Sequence, residues 1–233
     1  MDFESELISG SFVKRYKRFF TDVRINNKIV VCHCPNTGSM MGLLDKGNRV
    51  WISKNNNPER KLKFTLQIIE QRGNKVGVNT HITNKIFYEA LKNNKVNFLR
   101  GKKEIIREFK YNKHTRFDFL VKFRNSDYLI EVKNVTLSRK KNLAEFPDSV
   151  TSRGAKHIKE LTEAAKKGYK VCLVFIAQRE DCKKISIAKD LDPYYSKLLT
   201  YSLKKNLKVI CYNCKFSQKG IKINNNIKFL NND

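Results

Sequence analysis

The chain has 233 residues, 40% of them hydrophobic and 30% charged, with 48 lysines and arginines against 22 acidic residues and a formal charge of +26. This balance is that of a folded chain, not a disordered one, and the longest apolar run, VCLVFIA at 171–177, is far too short to be a membrane-spanning helix. The length suits two modest domains, each with a core of its own, and the positive excess favours a polyanionic partner, nucleic acid first, with neither DNA nor RNA singled out.

The N-terminus, MDFESELIS, has no basic segment followed by an apolar one, so no signal peptide is expected and the location is expected to be cytoplasmic. LISGSFVKRY, FFTDVRI, KIVVCHC, RVWIS, KFTLQIIEQR and KVGVN then read as short strands separated by turns such as NNK, GN and RGNK. Many short strands in residues 1–81, with no helical period, predict a small all-β barrel of the OB type.

Between the third and fourth of these strands lies HCPNTGSM, residues 33–40. His33 and Ser39 have no acid partner in their own segment, so a serine triad is not assembled here. Pro35 fixes the chain direction, Asn36 and Thr37 can bond neighbouring backbone, and Gly38 can take conformations closed to other residues. The loop is therefore expected to make contacts, either to nucleic acid through His33, Asn36 and Thr37 or to the second domain.

From residue 82 the period changes. TNKIFYEALKNN puts Ile86, Phe87, Ala90 and Leu91 on one helical stripe, with Glu89 beside it. Strands follow at 104–111, 116–123 and 127–137, then an irregular segment, SRKKNLAEFPDS. A helix from Thr151 to Lys167 carries Ala155, Ile158, Leu161 and Ala165 inward and Arg153, Lys156, His157 and Glu160 on the opposite face. KVCLVFIA is a buried strand, SKLLTYSLKKN a helix and LKVICYN a strand; the Asn-rich tail NNNIKFLNND reads as a frayed end. The order predicts an α/β domain with a mixed sheet over 82–233.

The charge is uneven. Residues 1–81 hold 14 basic and 7 acidic side chains, whereas 82–233 hold 34 and 15, so the second domain is expected to carry most of the polyanion affinity. Lysine outnumbers arginine 35 to 13 and asparagine occurs 24 times, a bias that AT-rich codons impose without any function. Cysteines at 32, 34, 172, 182, 211 and 214 are expected to be reduced thiols. Cys211 and Cys214 have zinc-ligand spacing, but no second pair completes four ligands, so no zinc is expected and both thiols are expected to be dispensable.

The motif with the most chemistry is FDF followed thirteen residues later by EVK. Alternation along a strand puts Glu131 and Lys133 on one face, and a turn centred on Asn125 and Ser126 would set Asp118 opposite Lys133. Two carboxylates suit a hard cation such as Mg²⁺ or Mn²⁺, and the lysine suits an attacking water or a developing charge. By itself the spacing also fits an exposed, salt-bridged sheet face.

In context, the helix with an acid, the three strands with D and ExK, and the following basic helix resemble the core of the PD-(D/E)XK nuclease superfamily. HCPNTGSM, RFDFLV with DYLIEVKNVTL, and EFPDSVTSRGAKHIKEL together resemble the sugar fermentation stimulation protein A family, from about residue 12 to 215. The resemblance implies an OB-like first domain, a restriction-endonuclease-like second domain and DNA binding without strong sequence preference. It maps the superfamily motif onto Asp118, Glu131 and Lys133 and the helical acid onto Glu89, so that Asp118, Glu131 and Glu89 would hold the metal. Arg153, Lys156 and His157 would face phosphate. Glu108 also matches a family acid, and a structural salt bridge competes with a metal role there.

Overall fold

The structure, a computed structural model, describes residues 1–231. Six strands occupy the first third: β1 (Leu7–Tyr16), β2 (Phe20–Ile25), β3 (Lys28–His33), β4 (Arg49–Lys54), β5 (Phe64–Gln71) and β6 (Asn74–Gly77). Their order is β3-β2-β1-β4-β5-β6, and a parallel pairing of Cys32 with Phe64 and His33 with Thr65 closes β3 onto β5 to make the barrel. Two-residue turns with both φ positive, Asn26-Asn27 and Arg72-Gly73, fit the right-handed twist of the hairpins they join. Phe12, Val23, Cys32, Val50, Ile52 and Leu66 fill the interior.

The second domain places three helices on a nine-stranded mixed sheet. After α1 (Thr83–Lys92) come β7 (Glu104–Lys110), β8 (Arg116–Phe123), β9 (Ser126–Val135), β10 (Leu137–Lys140) and β11 (Leu143–Phe146). Then follow α2 (Ser152–Lys166), β12 (Lys170–Ala177), β13 (Lys184–Ile187), α3 (Pro193–Leu203), β14 (Lys208–Phe216) and β15 (Ile221–Leu230). The strand order is β10-β11-β13-β15-β14-β12-β9-β8-β7. Ile86, Phe87 and Leu91 of α1 pack with Ile130, Val132 and Val174 on one face. Ala155, Ile158 and Leu161 of α2 and Leu199 of α3 pack with Leu129, Leu173 and Phe175 on the other. Thr151 caps α2 by accepting from the Gly154 amide, and Asp192 caps α3 while also accepting from the Thr151 amide, which ties the two helix starts together.

In its elements and their packing, the fold departs from the sequence expectations in three places. SRKKNLAEFPDS is not irregular, since it supplies β11 and most of β10. The Asn-rich tail is not frayed up to Leu230, since β15 runs antiparallel to β14 and parallel to β13, with Ile221 and Ile227 buried and Asn224–Asn226 exposed; its last two residues, 232 and 233, lie outside the described residues. Finally, the first residues of the chain pack on the second domain. Asp2 bridges to Gly220, the Phe3 amide donates to the Lys219 carbonyl, and Met1 and Phe3 lie against the α1 core. Ile68 of β5 belongs to that same core.

The two thiols of CYNC are buried in different cores, Cys211 beneath α2 and α3 and Cys214 beneath α1. Burial pushes both thiols well up. Their burial gives both side chains a packing role that the spacing alone did not show. Replacing each with serine should destabilise by about 1–3 kcal/mol, because a hydroxyl would be buried without a partner; a denaturant titration of the double variant checks this.

Candidate metal and nucleic-acid site

The HCPNTGSM loop seats the barrel on the second domain. Ser39 Oγ donates to the Asp148 carbonyl at 2.8 Å, the Met40 amide donates to Asp148 Oδ2 at 3.1 Å, and Thr80 donates to the Pro35 carbonyl. Asn36 is buried, its Oδ1 accepting from the Gly38 amide, while Arg15 donates to the Asn36 and Gly38 carbonyls. A Cβ on Gly38 would stand 2.5 Å from Asp148 Oδ2. Gly38→Ala should therefore lower stability by roughly 1–3 kcal/mol through overpacking at the domain junction, read as a fall in midpoint without a change in fold.

The motif residues meet where two strands part. The β8–β9 ladder runs from Phe123↔Ser126 to Phe119↔Ile130 and no further, and beyond it the Val132 amide donates to Asp118 Oδ2 at 2.7 Å. The expected register is therefore off by two residues, because the turn is built on Arg124 (φ 53°) and Asn125. A slip of two preserves which face each side chain takes, so the motif still converges. Asn84 of α1 donates to Asp118 Oδ1 at 2.7 Å.

Glu131 is 3% exposed. Its Oε1 accepts from Lys133 Nζ at 2.6 Å and is also bonded to His157 Nδ1, while its Oε2 is buried with no partner among the described residues. Burial works against the Glu131 charge, but the Lys133 ammonium and His157 outweigh it and hold the carboxyl below its usual range. Asp118 goes the other way. Burial, and then repulsion from Glu131, raise its carboxyl to about 6 in spite of bonds from Val132 and Asn84 and the Lys133 charge. The two neighbouring carboxyls are thus pushed in opposite directions, Asp118 toward its neutral form and Glu131 toward its charged one.

The remaining expectations are placed as follows. Glu89 is bonded to the Met1 amine, and the α1 residue that reaches Asp118 is Asn84. Five residues turn a helix by about 140°, so Glu89 and Asn84 cannot share a face. Among the described residues, no three His, Cys, Asp or Glu side chains gather as a metal-holding group, so Glu89 does not complete one with Asp118 and Glu131. His157 is buried, not on a solvated face: its ring lies edge-on to Phe117 and its Nδ1 is on Glu131. Lys156 Nζ donates to the His114 carbonyl, while Arg153 is exposed with no bond to another described residue. Glu108 is exposed on β7 with φ 51° and has no ion pair among the described residues.

His33 stands away from the fork, in a polar cavity of about 220 Å³ with Arg60, His81 and Lys85. Arg60 can only donate, so His33 Nδ1 accepts from it at 3.1 Å, and burial together with that guanidinium keeps the imidazole neutral more readily. Asn36 and Thr37 line a different cleft of about 330 Å³, between this loop and residues 145–151. Two contributors to the site lay outside the sequence reading: Asn84, and His157 in its actual role beneath Glu131. Each reaches a motif residue only once the layers are assembled, Asn84 bonding Asp118 and His157 bonding Glu131.

A barrel closed by a β3–β5 pairing, followed by an α/β sheet whose D and ExK residues meet at a strand fork, defines a restriction-endonuclease-like fold with an OB domain attached. Residues 81–220 match the family described as "Sugar fermentation stimulation protein RE domain", and residues 13–78 match "SfsA N-terminal OB domain". The sugar fermentation stimulation protein homolog of Pelagibacter ubique is 51% identical over 99% of this chain and all of its own length; that of Maricaulis maris is 40% identical over 95% of each. A solved structure, that of Pyrococcus furiosus SfsA in complex with Ca²⁺, superposes with a TM-score of 0.88 at 25% identity, covering 99% of this chain and 98% of the other. The chain belongs to the sugar fermentation stimulation protein (SfsA) family.

Proposed function

We propose that the protein binds DNA with little sequence preference and cleaves it by a divalent-metal-dependent phosphodiesterase reaction at the β8–β9 fork. The observation that carries this reading is the buried, unpartnered Glu131 Oε2 in electrostatic contact with an Asp118 carboxyl raised to about 6. Such an oxygen is a poor structural feature and a good ligand. Asp118 and Glu131 would hold Mg²⁺ or Mn²⁺, and the Ca²⁺ complex of Pyrococcus furiosus SfsA supports hard-cation binding on this fold. When bound, the cation supplies an acidified water and neutralises charge on the phosphodiester.

The chain's own residues do the rest. Asn84 and the Val132 amide orient Asp118, and His157 fixes the Glu131 carboxylate from beneath. Lys133, 14% exposed at its side chain, holds an ammonium beside the same carboxylate, where it can bond the attacking water or the phosphate oxygen that gains charge. Exposed lysines and arginines hold the backbone nonspecifically, and the six unpaired, buried thiols suit a cytosolic setting.

The test is cleavage of single-stranded, duplex and branched DNA over a range of Mg²⁺ and Mn²⁺, together with binding at several salt concentrations. Metal-dependent cleavage is expected, with a steep loss of affinity in salt of about 0.9 log units per log unit for each neutralised duplex phosphate. Binding without any cleavage would replace this reading with that of a noncatalytic DNA-binding protein, for which the Met1–Glu89 pairing in place of a third ligand is the supporting observation.

A further inference from the structure

The 330 Å³ cleft opens between the two domains and reaches Asn134, the residue after Lys133 on β9. One wall is the barrel, with Arg18, Thr37 and Gly38; the other is the segment leading into α2, with Ser149, Val150 and Thr151. Its floor is Asn134–Thr136, the continuation of β9 just past Lys133. The walls are stitched together by the bonds from Ser39 and Met40 to Asp148. The cleft's two acids are already engaged, Glu145 by the Arg139 guanidinium and Asp148 by the Met40 amide.

The rim combines charge with exposed apolar surface. The β1–β2 turn, YKRFF, carries Lys17 and Arg18 exposed, and both take positive φ. Phe19, next to Arg18, is 46% exposed and has no aromatic neighbour among the described residues, whereas Phe20 is stacked with Tyr16 at 5.4 Å. The turn is held rigidly: Arg15 donates to the Arg18 carbonyl and to the loop carbonyls of Asn36 and Gly38, and the Cys34 amide donates to the Phe19 carbonyl. Across the cleft, Val150 is 75% exposed, and Arg153, two residues past the lining residue Thr151, has an exposed side chain with no bond to another described residue. An exposed aromatic ring on a turn that also carries cations can hold an unstacked base while the flanking phosphates are neutralised. A duplex offers no free base face without the cost of unstacking.

We propose that this cleft takes single-stranded DNA, with Phe19 stacking one base and Lys17, Arg18 and Arg153 contacting the flanking phosphates, so that the strand is led toward Asp118 and Glu131. The inference rests on the DNA-cleaving reading above and specifies its substrate as a single strand.

Fluorescence anisotropy with one labelled single-stranded oligomer and its matched duplex, compared at the same series of salt concentrations, tests it on wild type, Phe19→Ala, Phe19→Trp and Arg18→Ala. Wild type should prefer the single strand at least tenfold. Phe19→Ala should weaken single-strand binding by roughly five- to 150-fold, the loss expected of one stacked base, and leave the duplex unaffected. Phe19→Trp should restore it, and Arg18→Ala should flatten the salt dependence. Because the ring is exposed, melting curves should show all variants folded. Equal wild-type affinity for both forms, or a Phe19→Ala variant unchanged toward the single strand, overturns the inference and leaves the nuclease reading intact. A larger loss on the duplex overturns it in favour of an intercalating wedge. Absence of binding to any DNA overturns both.

Discussion

Asp118→Asn should make the protein more stable at pH 7 to 8 while abolishing metal-dependent cleavage. The Asp118 carboxyl is raised from its ordinary 3.8 to about 6 by burial and by Glu131, so the folded state disfavours its charge. For a carboxyl raised in this way, the stability it contributes is complete below about pH 4 and is lost as pH climbs through about 6. At 1.36 kcal/mol per pKa unit the loss is roughly 3 kcal/mol at neutral pH, and it reflects the displaced ionisation alone. Asparagine removes the charge while keeping an oxygen for the Val132 or Asn84 donor. Its stabilising effect should shrink as pH falls from 7 to 4, which urea midpoints at several pH values would reveal. In wild type, Mn²⁺ should restore the same stability, and in Asp118→Asn it should add little. Equal stability of the two proteins across that range would mean that the Asp118 charge is not under strain.

Glu131→Gln should have the opposite sign. The Glu131 carboxyl is held low because Lys133 and His157 outweigh the cost of burial, so its contribution is present above its ordinary 4.5 and is lost as pH falls through the lower folded value. Removing that charge leaves the Lys133 ammonium, only 14% exposed, without its anion. Breaking a buried pair on one side costs about 3–5 kcal/mol. Cleavage should fall by about 100- to 1,000-fold or more, as for loss of one group that stabilises transition-state charge. Lys133→Met should keep metal affinity and slow only the chemical step, because the ammonium is not a ligand. DNA binding should persist in both carboxylate variants, since each loses a negative charge near phosphate. One motif, then, contains a carboxylate that weakens the fold and another that strengthens it, and urea titrations of the two variants separate them.

The alternation of side chains along a strand made Asp118, Glu131 and Lys133 legible, and that rule survives a two-residue error in the turn because the period is two. Helix roles were harder to read. Glu89 is the acid in the α1 sequence, yet which face of α1 meets the fork is decided by Ile86, Phe87 and Leu91 packing on the sheet, and that brings Asn84 to Asp118. His157 sits among Arg153, Lys156 and Glu160, company that suggests solvent; the close seat of Gly154 and Ala155 draws the helix in until the imidazole reaches Glu131. The last strand was illegible for another reason. Three consecutive asparagines interrupt the apolar alternation of β15, and only its partners β14 and β13 make it a strand.

Calorimetric titration of Mn²⁺ into wild type and Asp118→Asn, at pH 7.5 and without DNA, tests the account most directly. The fork predicts saturable binding in wild type that is lost or greatly weakened in the variant, with the folded state of both checked by melting. No binding to wild type, or the same isotherm for both proteins, would contradict the assignment of Asp118 and Glu131 as a metal site.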